Sequence, residues 1–137
     1  MNVTLLLCDA AAASDGKLFV LGGGWSFVAA ETPFNMALAI LIAVPWDQAN
    51  KRIEVTAKLM DDDGEPVQFN DQDVVAVGQL EVGRPVGVKP GSDLNAPLAL
   101  TFNGMALPLG GYRWELWIDK DLAATAPFRV IPGGQQA

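Results

Sequence analysis

The sequence offers few side chains that could carry out catalysis. It contains no histidine, the side chain that most often serves as general base and as zinc ligand. None of its three serines, Ser14, Ser26 and Ser92, lies in the Gly-x-Ser-x-Gly turn of hydrolases. The single cysteine, Cys8, follows an apolar run and has no basic neighbour, which is typical of a small core residue and not of a reactive thiol. We therefore predict a protein that is not an enzyme and that holds no cofactor.

An acidic run at residues 61–65 (DDDGE), followed by Asp71 and Asp73, supplies the oxygen ligands that calcium prefers. The run lacks the alternating acids, the glycine at the sixth position and the glutamate at the twelfth that define an EF-hand loop. Its Asp-Gly pair instead predicts a tight turn between two strands. We predict a turn and no metal site, with an ion site as the alternative.

Paired carboxylates for glycoside hydrolysis could come from Glu54, Glu81 and Glu115. Each of them falls on the solvent-facing side of an alternating strand, whereas a general acid needs a buried position. The pattern therefore favours a solvated face over an active site.

Three glycines, Gly22, Gly23 and Gly24, stand between an apolar run and Trp25. A phosphate-binding loop would need a following helix, and the P-loop would also need a lysine at a set position. The residues after the glycines, WSFV, are typical of a strand. We interpret the glycines as a structural joint that bends a strand or lets it cross between sheets, with room for a large neighbour such as Trp25.

Composition excludes several classes of partner. The net charge is −7 and the nine basic residues are scattered, so nucleic acid and anionic membranes are not expected to bind. The longest apolar segment, residues 36–45, is half the length of a membrane span. No basic residue precedes Lys17, so we expect no secretory signal peptide and a location in the cytoplasm or in a virion. The length predicts a single domain, residues 1–137.

Apolar alternation and turn residues predict strands and no helix beyond a single turn after Pro45. The predicted strand segments are residues 2–8, 17–21, 25–29, 36–44, 52–60, 67–69, 74–82, 98–102, 111–119 and 128–131. We count them as eight or nine short strands, because 67–69 is very short and 25–29 resumes the strand before the glycines. The segment 36–44 (MALAILIAV) is apolar on both faces, which indicates a central strand or one covered by another subunit.

The strand at 111–119 alternates most clearly. Tyr112 and Trp114 point to one side, and Arg113 and Trp117 to the other. The preceding LPLGGY resembles the tyrosine corner of immunoglobulin-like domains, in which the phenol bonds to upstream backbone. We predict an all-β, two-sheet antiparallel sandwich of immunoglobulin type.

Interface residues are predicted from aromatic side chains at exposed positions. Trp117 lies on a wet face, and such tryptophans often anchor protein interfaces; a covering loop or a stacked sugar are the alternatives. Trp46 follows the most apolar strand, and the longest predicted loop, 83–97, carries apolar side chains. The predicted contacts with protein partners are Trp117, Trp46, Arg113, Val86 and Val88.

The segments VTLLLCDAA (3–11), DGKLFVLGGGW (15–25), VPWDQAN (44–50) and GYRW (111–114) together resemble an uncharacterised family of small proteins from actinobacteria and their phages. The resemblance implies no catalytic residue. The resemblance supports the predicted fold and leaves the role open. From the aromatic residues and the long loop we predict a structural module that docks on itself or on a larger assembly, and the resemblance to phage proteins suggests a capsid or tail. The alternative is a module that binds a small ligand, either carbohydrate or calcium.

Overall fold

A computed structural model describes residues 1–30 and 33–133, and the chain there is all-β. The predicted domain 1–137 also includes residues 31–32 and 134–137, which lie outside the described part. The strands are β1 Asn2–Ser14, β2 Lys17–Gly23, β3 Phe27–Ala29, β4 Phe34–Val44, β5 Arg52–Asp61, β6 Gln68–Phe69, β7 Gln72–Asp73, β8 Val75–Glu81, β9 Leu94–Met105, β10 Gly110–Ile118 and β11 Asp121–Ile131. The predicted single turn after Pro45 is present as a 3-10 helix, Trp46–Gln48. Within residues 1–30 and 33–133, no helix has the length and hydropathy needed to cross a membrane.

Two main sheets form a sandwich-like arrangement. The four-stranded sheet has the order β2-β1-β4-β9, the five-stranded sheet has the order β3-β11-β10-β5-β8, and β6 and β7 form a small separate hairpin. The ladders are antiparallel except for the pair β3 and β11, which is parallel. The prediction of a wholly antiparallel sandwich is wrong on this point, because the chain crosses from one sheet to the other just before β3.

The core lies between the inner faces of the two sheets and follows the alternation seen in the sequence. On β5 the buried residues are Ile53, Val55, Ala57 and Leu59. On β10 the inner side carries the two predicted structural aromatics, Tyr112 and Trp114, and both are buried. Trp114 packs against Phe102 of the opposite sheet, with ring centroids 4.4 Å apart.

The first strand is longer than predicted. Residues 9–16 were expected to form a loop, but β1 continues to Ser14 and turns at once into β2. Asp15 and Gly16 both have positive φ, at 53° and 71°, as a two-residue hairpin turn requires. The expectation failed because the four alanines at 10–13 show no alternation from which a strand could be recognised.

The strands β9 and β11 are longer than predicted as well, because each begins earlier in the chain. Because β9 starts at Leu94, the long loop predicted at 83–97 ends several residues earlier. Gly78 pairs in regular register with Val55. A side chain there would contact Leu98 of the opposite sheet at 3.4 Å, so this glycine allows the two sheets to approach closely.

The predicted tyrosine hydrogen bond is present. The Tyr112 hydroxyl donates to the carbonyl oxygen of Pro108 over 2.7 Å, four residues upstream. This bond satisfies a phenol that is otherwise buried in the core. The immunoglobulin-like topology stays a prediction, and the residues that the structure describes form eleven strands where eight or nine were expected.

Candidate docking surfaces

The five-stranded sheet turns a mixed face to solvent, which we call the charged face. It is made of the residues that alternate with the core positions on β5, β8, β10 and β11. Its basic residues are Arg52, Lys58, Arg113 and Arg129, and its acidic residues are Glu54, Glu81 and Glu115. The charged face therefore carries about as many positive as negative side chains, although the chain as a whole is strongly acidic.

Trp117 lies near the centre of the charged face. The strand registers place Leu122 beside it on β11, Thr56 beside it on β5 and Val77 beyond Thr56 on β8. Leu122 and Val77 are exposed, and Trp117 is half-buried. The predicted interface tryptophan therefore belongs to a continuous row across four strands.

Trp117 makes polar contacts with residues of its own sheet. Its indole N–H donates to Glu115 Oε1 over 3.3 Å, and the Lys58 Nζ lies 5.0 Å from its ring centroid. The Arg113 guanidinium donates to Glu115 Oε2, over 2.9 Å from Nη2 and 3.1 Å from Nε. This set of contacts holds the Trp117 ring against its own sheet.

The structure corrects the prediction for Glu115. We expected Glu115 to face solvent, but only 9% of the residue is exposed. Its neighbours Arg113 and Trp117 lie on the same side of β10 and fold over it. The burial could not be anticipated from alternation, because it depends on where two long side chains lie.

A cavity of about 280 Å³ lies beside Trp117. Lys58, Val75 and Pro66 contribute to its walls, and Pro66 belongs to the segment that leads into the β6–β7 hairpin. Trp117 and this segment therefore line the same cavity. The alternative that a loop of the same chain covers Trp117 stays a prediction.

The remaining predicted interface residues lie in a different region. The Arg84 guanidinium stacks 4.7 Å from the Trp46 ring centroid and donates to the Trp46 carbonyl oxygen over 2.7 and 3.2 Å. This contact joins the 3-10 helix to the loop that carries Val86, which is fully exposed, and Val88, which is half-buried. The structure thus separates the predicted set into two groups, one around Trp117 and Arg113 and one around Trp46.

The four-stranded sheet presents a face that the sequence reasoning did not identify as a surface. We call it the uncharged face, because none of the outward residues is charged on β4, on β9 and on the part of β1 that pairs with β4, Asn2 to Cys8. These residues are Asn2, Thr4, Leu6, Cys8, Ala37, Ala39, Leu41, Ala43, Asn95, Pro97, Ala99 and Thr101. The segment 36–44 could have pointed to this face, because its apolar residues on both sides indicated a covered strand.

One end of the uncharged face is covered by the β1–β2 hairpin. Ala11 and Leu18 of the hairpin pack against a small cluster of Cys8, Ala37 and Ala39, each at most 1% exposed. The strand β2 also contacts β4 and β9, which are not its neighbours in the sheet. The hairpin therefore bends across the outside of its own sheet.

The glycine joint lies at the base of this hairpin. A side chain on Gly22, whose φ is +62°, would overlap the Asp9 carboxylate, and one on Gly23 would meet Val20 at 2.7 Å. The Gly24 N–H donates to the Leu7 carbonyl oxygen over 2.8 Å, after which the chain crosses to the other sheet. The glycines thus lie where the chain leaves β2 for the other sheet, and the side chains closest to Gly22 and Gly23 come from β1 and β2.

Trp25, predicted to fill that space, packs elsewhere. Its ring meets Phe128 edge to face, with centroids 5.9 Å apart. It therefore anchors the crossing segment to the five-stranded sheet.

Cys8 is buried among these small residues, as predicted for a core cysteine. Its thiol donates to the Ala37 carbonyl oxygen over 3.4 Å. Burial, with a smaller contribution from the charge of Asp9, raises the pKa of the thiol above its ordinary value. The side chain is therefore poorly suited to act as a nucleophile.

The acidic run forms the predicted turn. Asp61 Oδ1 accepts hydrogen bonds from the backbone N–H groups of Asp63 at 2.9 Å and Glu65 at 3.0 Å. One carboxylate of the run is thus used to shape the backbone. Over residues 1–30 and 33–133, no three acidic or cysteine side chains form a group that could hold a metal; calcium binding stays a prediction.

Comparison with known proteins identifies the family. The sequence model of the Family of unknown function (DUF6941) matches residues 3–131, and the chain belongs to this family. No curated protein and no solved structure matches the chain.

Proposed function

We propose that this member of the DUF6941 family is a non-enzymatic interaction module that docks on another protein through its uncharged face. The observation that carries the proposal is the absence of any charged side chain at the outward positions where β1 (Asn2 to Cys8), β4 and β9 pair with one another. Charged residues are depleted in the buried centres of protein interfaces, because burying a charge without a partner is costly.

The absence of charged residues is informative because part of the uncharged face is exposed to solvent. An antiparallel sheet with one face in water usually alternates apolar and polar residues, as β5 does on the other sheet. Beyond the hairpin, Thr4, Leu41 and Pro97 form a cross-strand row, in which Thr4 is exposed and the other two are half-buried. A partner could cover this row without removing any charge from water.

The chemistry of the buried polar groups supports a role without catalysis. Both carboxylate oxygens of Glu115 already accept hydrogen bonds from Arg113 and Trp117. The thiol of Cys8 lies beneath the hairpin and bonds to backbone. These groups maintain the fold and leave no free acid, base or nucleophile among them.

The partner that we propose is a larger protein assembly, such as the phage capsid or tail expected from the sequence. In this proposal the protein is an immunoglobulin-like decoration module, and the bond from Tyr112 to Pro108 supports that fold type. The charged face with Trp117 is the alternative docking surface.

Site-directed photo-crosslinking tests the proposal. A benzophenone amino acid would replace Leu41 on the uncharged face, Leu122 beside Trp117, or the exposed Lys120 as a control, in cells that make the protein naturally. We expect a protein adduct from position 41 and none from position 120. Adducts from position 122 alone would reject the uncharged face in favour of the charged face, and no adduct from either face would reject the docking function.

A further inference from the structure

The strand β2 is an edge strand with an exposed apolar surface. Its only neighbour among the described strands is β1. Between Lys17 and the end of the strand its sequence is LFVLGG, with no charge and no proline. Leu21 is 71% exposed, Phe19 54% and Val20 40%. Monomeric proteins usually protect such edges with charges, prolines or bulges.

The hairpin turn determines which backbone groups of β2 are free. Ser14 and Lys17 flank the two-residue turn and form its closing pair. Because hydrogen-bonded and non-hydrogen-bonded pairs alternate along an antiparallel ladder, Phe19 and Leu21 direct their backbone groups to β1. Leu18 and Val20 therefore direct theirs to the open edge.

We propose that this edge pairs with the same edge of a second copy of the chain. In an antiparallel pair centred on Val20, each Val20 lies opposite the other, and each Phe19 lies opposite Leu21 of the second copy. Phe19 of each copy then contacts Leu21 of the other, so the same apolar contact forms at two positions. The two four-stranded sheets become one continuous sheet. The inference concerns a different surface from the docking proposed above and does not depend on it.

The charge distribution favours a second copy as the occupant. Lys17 is the one charged residue of β2, and in this register it lies opposite the uncharged Gly23. No like charges of the two strands therefore meet, although each chain carries a net charge of −7. An antiparallel edge is complementary to itself under a two-fold axis, which is the commonest symmetry of homo-oligomers.

The area available indicates a weak dimer. The exposed parts of Phe19, Val20 and Leu21 amount to about 300 Å² per copy, if each side chain offers roughly 150 to 200 Å² when fully exposed. With the backbone and the neighbouring alanines, the interface would approach the lower limit of about 1,000 Å² for specific association. We therefore expect a dissociation constant in the micromolar range or weaker.

The other edge strands are less suited to this pairing. The strand β3 has three residues, β8 ends in Glu81, and β9 contains Pro97, which has no N–H to donate.

Disulfide trapping tests both the partner and the register. Phe19→Cys and Leu21→Cys would be purified separately in the reduced state, mixed in equal amounts and oxidised gently. Facing residues of a non-hydrogen-bonded antiparallel pair have Cα atoms about 4.5 Å apart, which a disulfide can bridge. We expect a covalent dimer in the mixture and at least tenfold less in either variant alone, while the buried Cys8 stays reduced. No covalent dimer in the mixture, or equal amounts in a single variant, would overturn the proposal.

Sedimentation velocity gives an independent measurement. The double variant Phe19→Lys with Leu21→Lys should raise the dimer dissociation constant at least tenfold. Phe27→Lys is the matched control, because Phe27 lies on the edge strand β3 and is 45% exposed. Equal effects of the two changes, or a wild-type chain that remains monomeric at millimolar concentration, would reject the second copy. Crosslinking from position 41 to a different protein would still stand in that case, so the two proposals can fail separately.

Discussion

The two outer faces of the sandwich differ in how their outward side chains are satisfied. On the charged face, Trp117 and Glu115 are bound by neighbours on their own sheet, so the most conspicuous aromatic residue is already held. On the uncharged face, small residues leave room for the β1–β2 hairpin at one end and offer no charge at the other. The comparison shows that a half-buried tryptophan on an outer face can be part of an internal contact network, while an alanine-rich strand can underlie a covered surface.

The largest effect is expected where the hairpin covers the uncharged face. Ala39→Asp places a charge at a position that is 1% exposed, with no basic group among the residues that pack there. We expect a loss of about 3 to 5 kcal/mol in the free energy of unfolding, as for other unpaired buried charges. Urea denaturation would measure it.

Ala123→Asp is the control for this prediction, since it makes the same change at an exposed residue of β11. Its effect should stay within about 0.5 kcal/mol. Similar losses in both variants would mean that the hairpin does not shield Ala39 from water.

A smaller loss of stability is expected from removing the hydrogen bonds that Glu115 accepts on the charged face. Glu115→Ala removes the acceptor of both the Arg113 guanidinium and the Trp117 indole. We expect a loss of about 1 to 3 kcal/mol, because two donors lose a partner that is largely shielded from solvent. Unfolding in urea should show almost no change for Glu54→Ala, an exposed carboxylate on the same face. If the two variants behave alike, the network contributes nothing to stability.

Tyr112, in the core between the two sheets, provides a test through the pH dependence of stability. Tyr112→Phe removes the bond to Pro108 and should cost about 1 kcal/mol at pH 7. Burial, followed by the charges of Asp61 and Asp62, raises the pKa of Tyr112 above its usual value near 10. The folded state therefore retains the phenol proton longer than the unfolded state does.

This contribution to stability is fully present below about pH 10 and is lost as the pH rises through the raised pKa. The wild type should lose stability faster above pH 10 than Tyr112→Phe, so that the difference between them shrinks. Urea midpoints at pH 7 and pH 10.5 would measure this change. A difference that is constant with pH would contradict it.

The smallest effect is expected from the cation over the tryptophan. Lys58→Met removes the ammonium 5.0 Å from the Trp117 ring centroid and keeps most of the aliphatic stem. At an exposed site this contact contributes about 0.5 to 1 kcal/mol. Lys120→Met is a suitable reference, because Lys120 lies in the exposed turn between β10 and β11. If Lys120→Met lowers the melting temperature more than Lys58→Met does, the contact between Lys58 and Trp117 does not contribute to stability.

Features with a local cause were predictable from the sequence. The alternation of β5, the acidic turn after it and the hydrogen bond of Tyr112 each depend on residues close together in the chain. Period-two alternation follows from strand geometry alone, so the inner positions 53, 55, 57 and 59 could be assigned before the structure was known.

Features with a distant cause were not predictable. The alanines of β1 carry no period, and their strand becomes visible only through pairing with β2. Glu115 is buried by long neighbouring side chains whose directions alternation does not specify. The cover over Ala37 comes from Leu18, which is far from it along the chain.

By itself, the sequence determined that the protein is all-β, which sides of its clearest strands form the core, and that few groups could perform catalysis. Only the tertiary structure decided which residues share an outer face, that one such face is free of charge, and that a hairpin bends over part of it. The physical reason is that alternation and turn chemistry act between near neighbours in the chain, whereas a face is assembled by strand pairing between residues that are far apart in sequence.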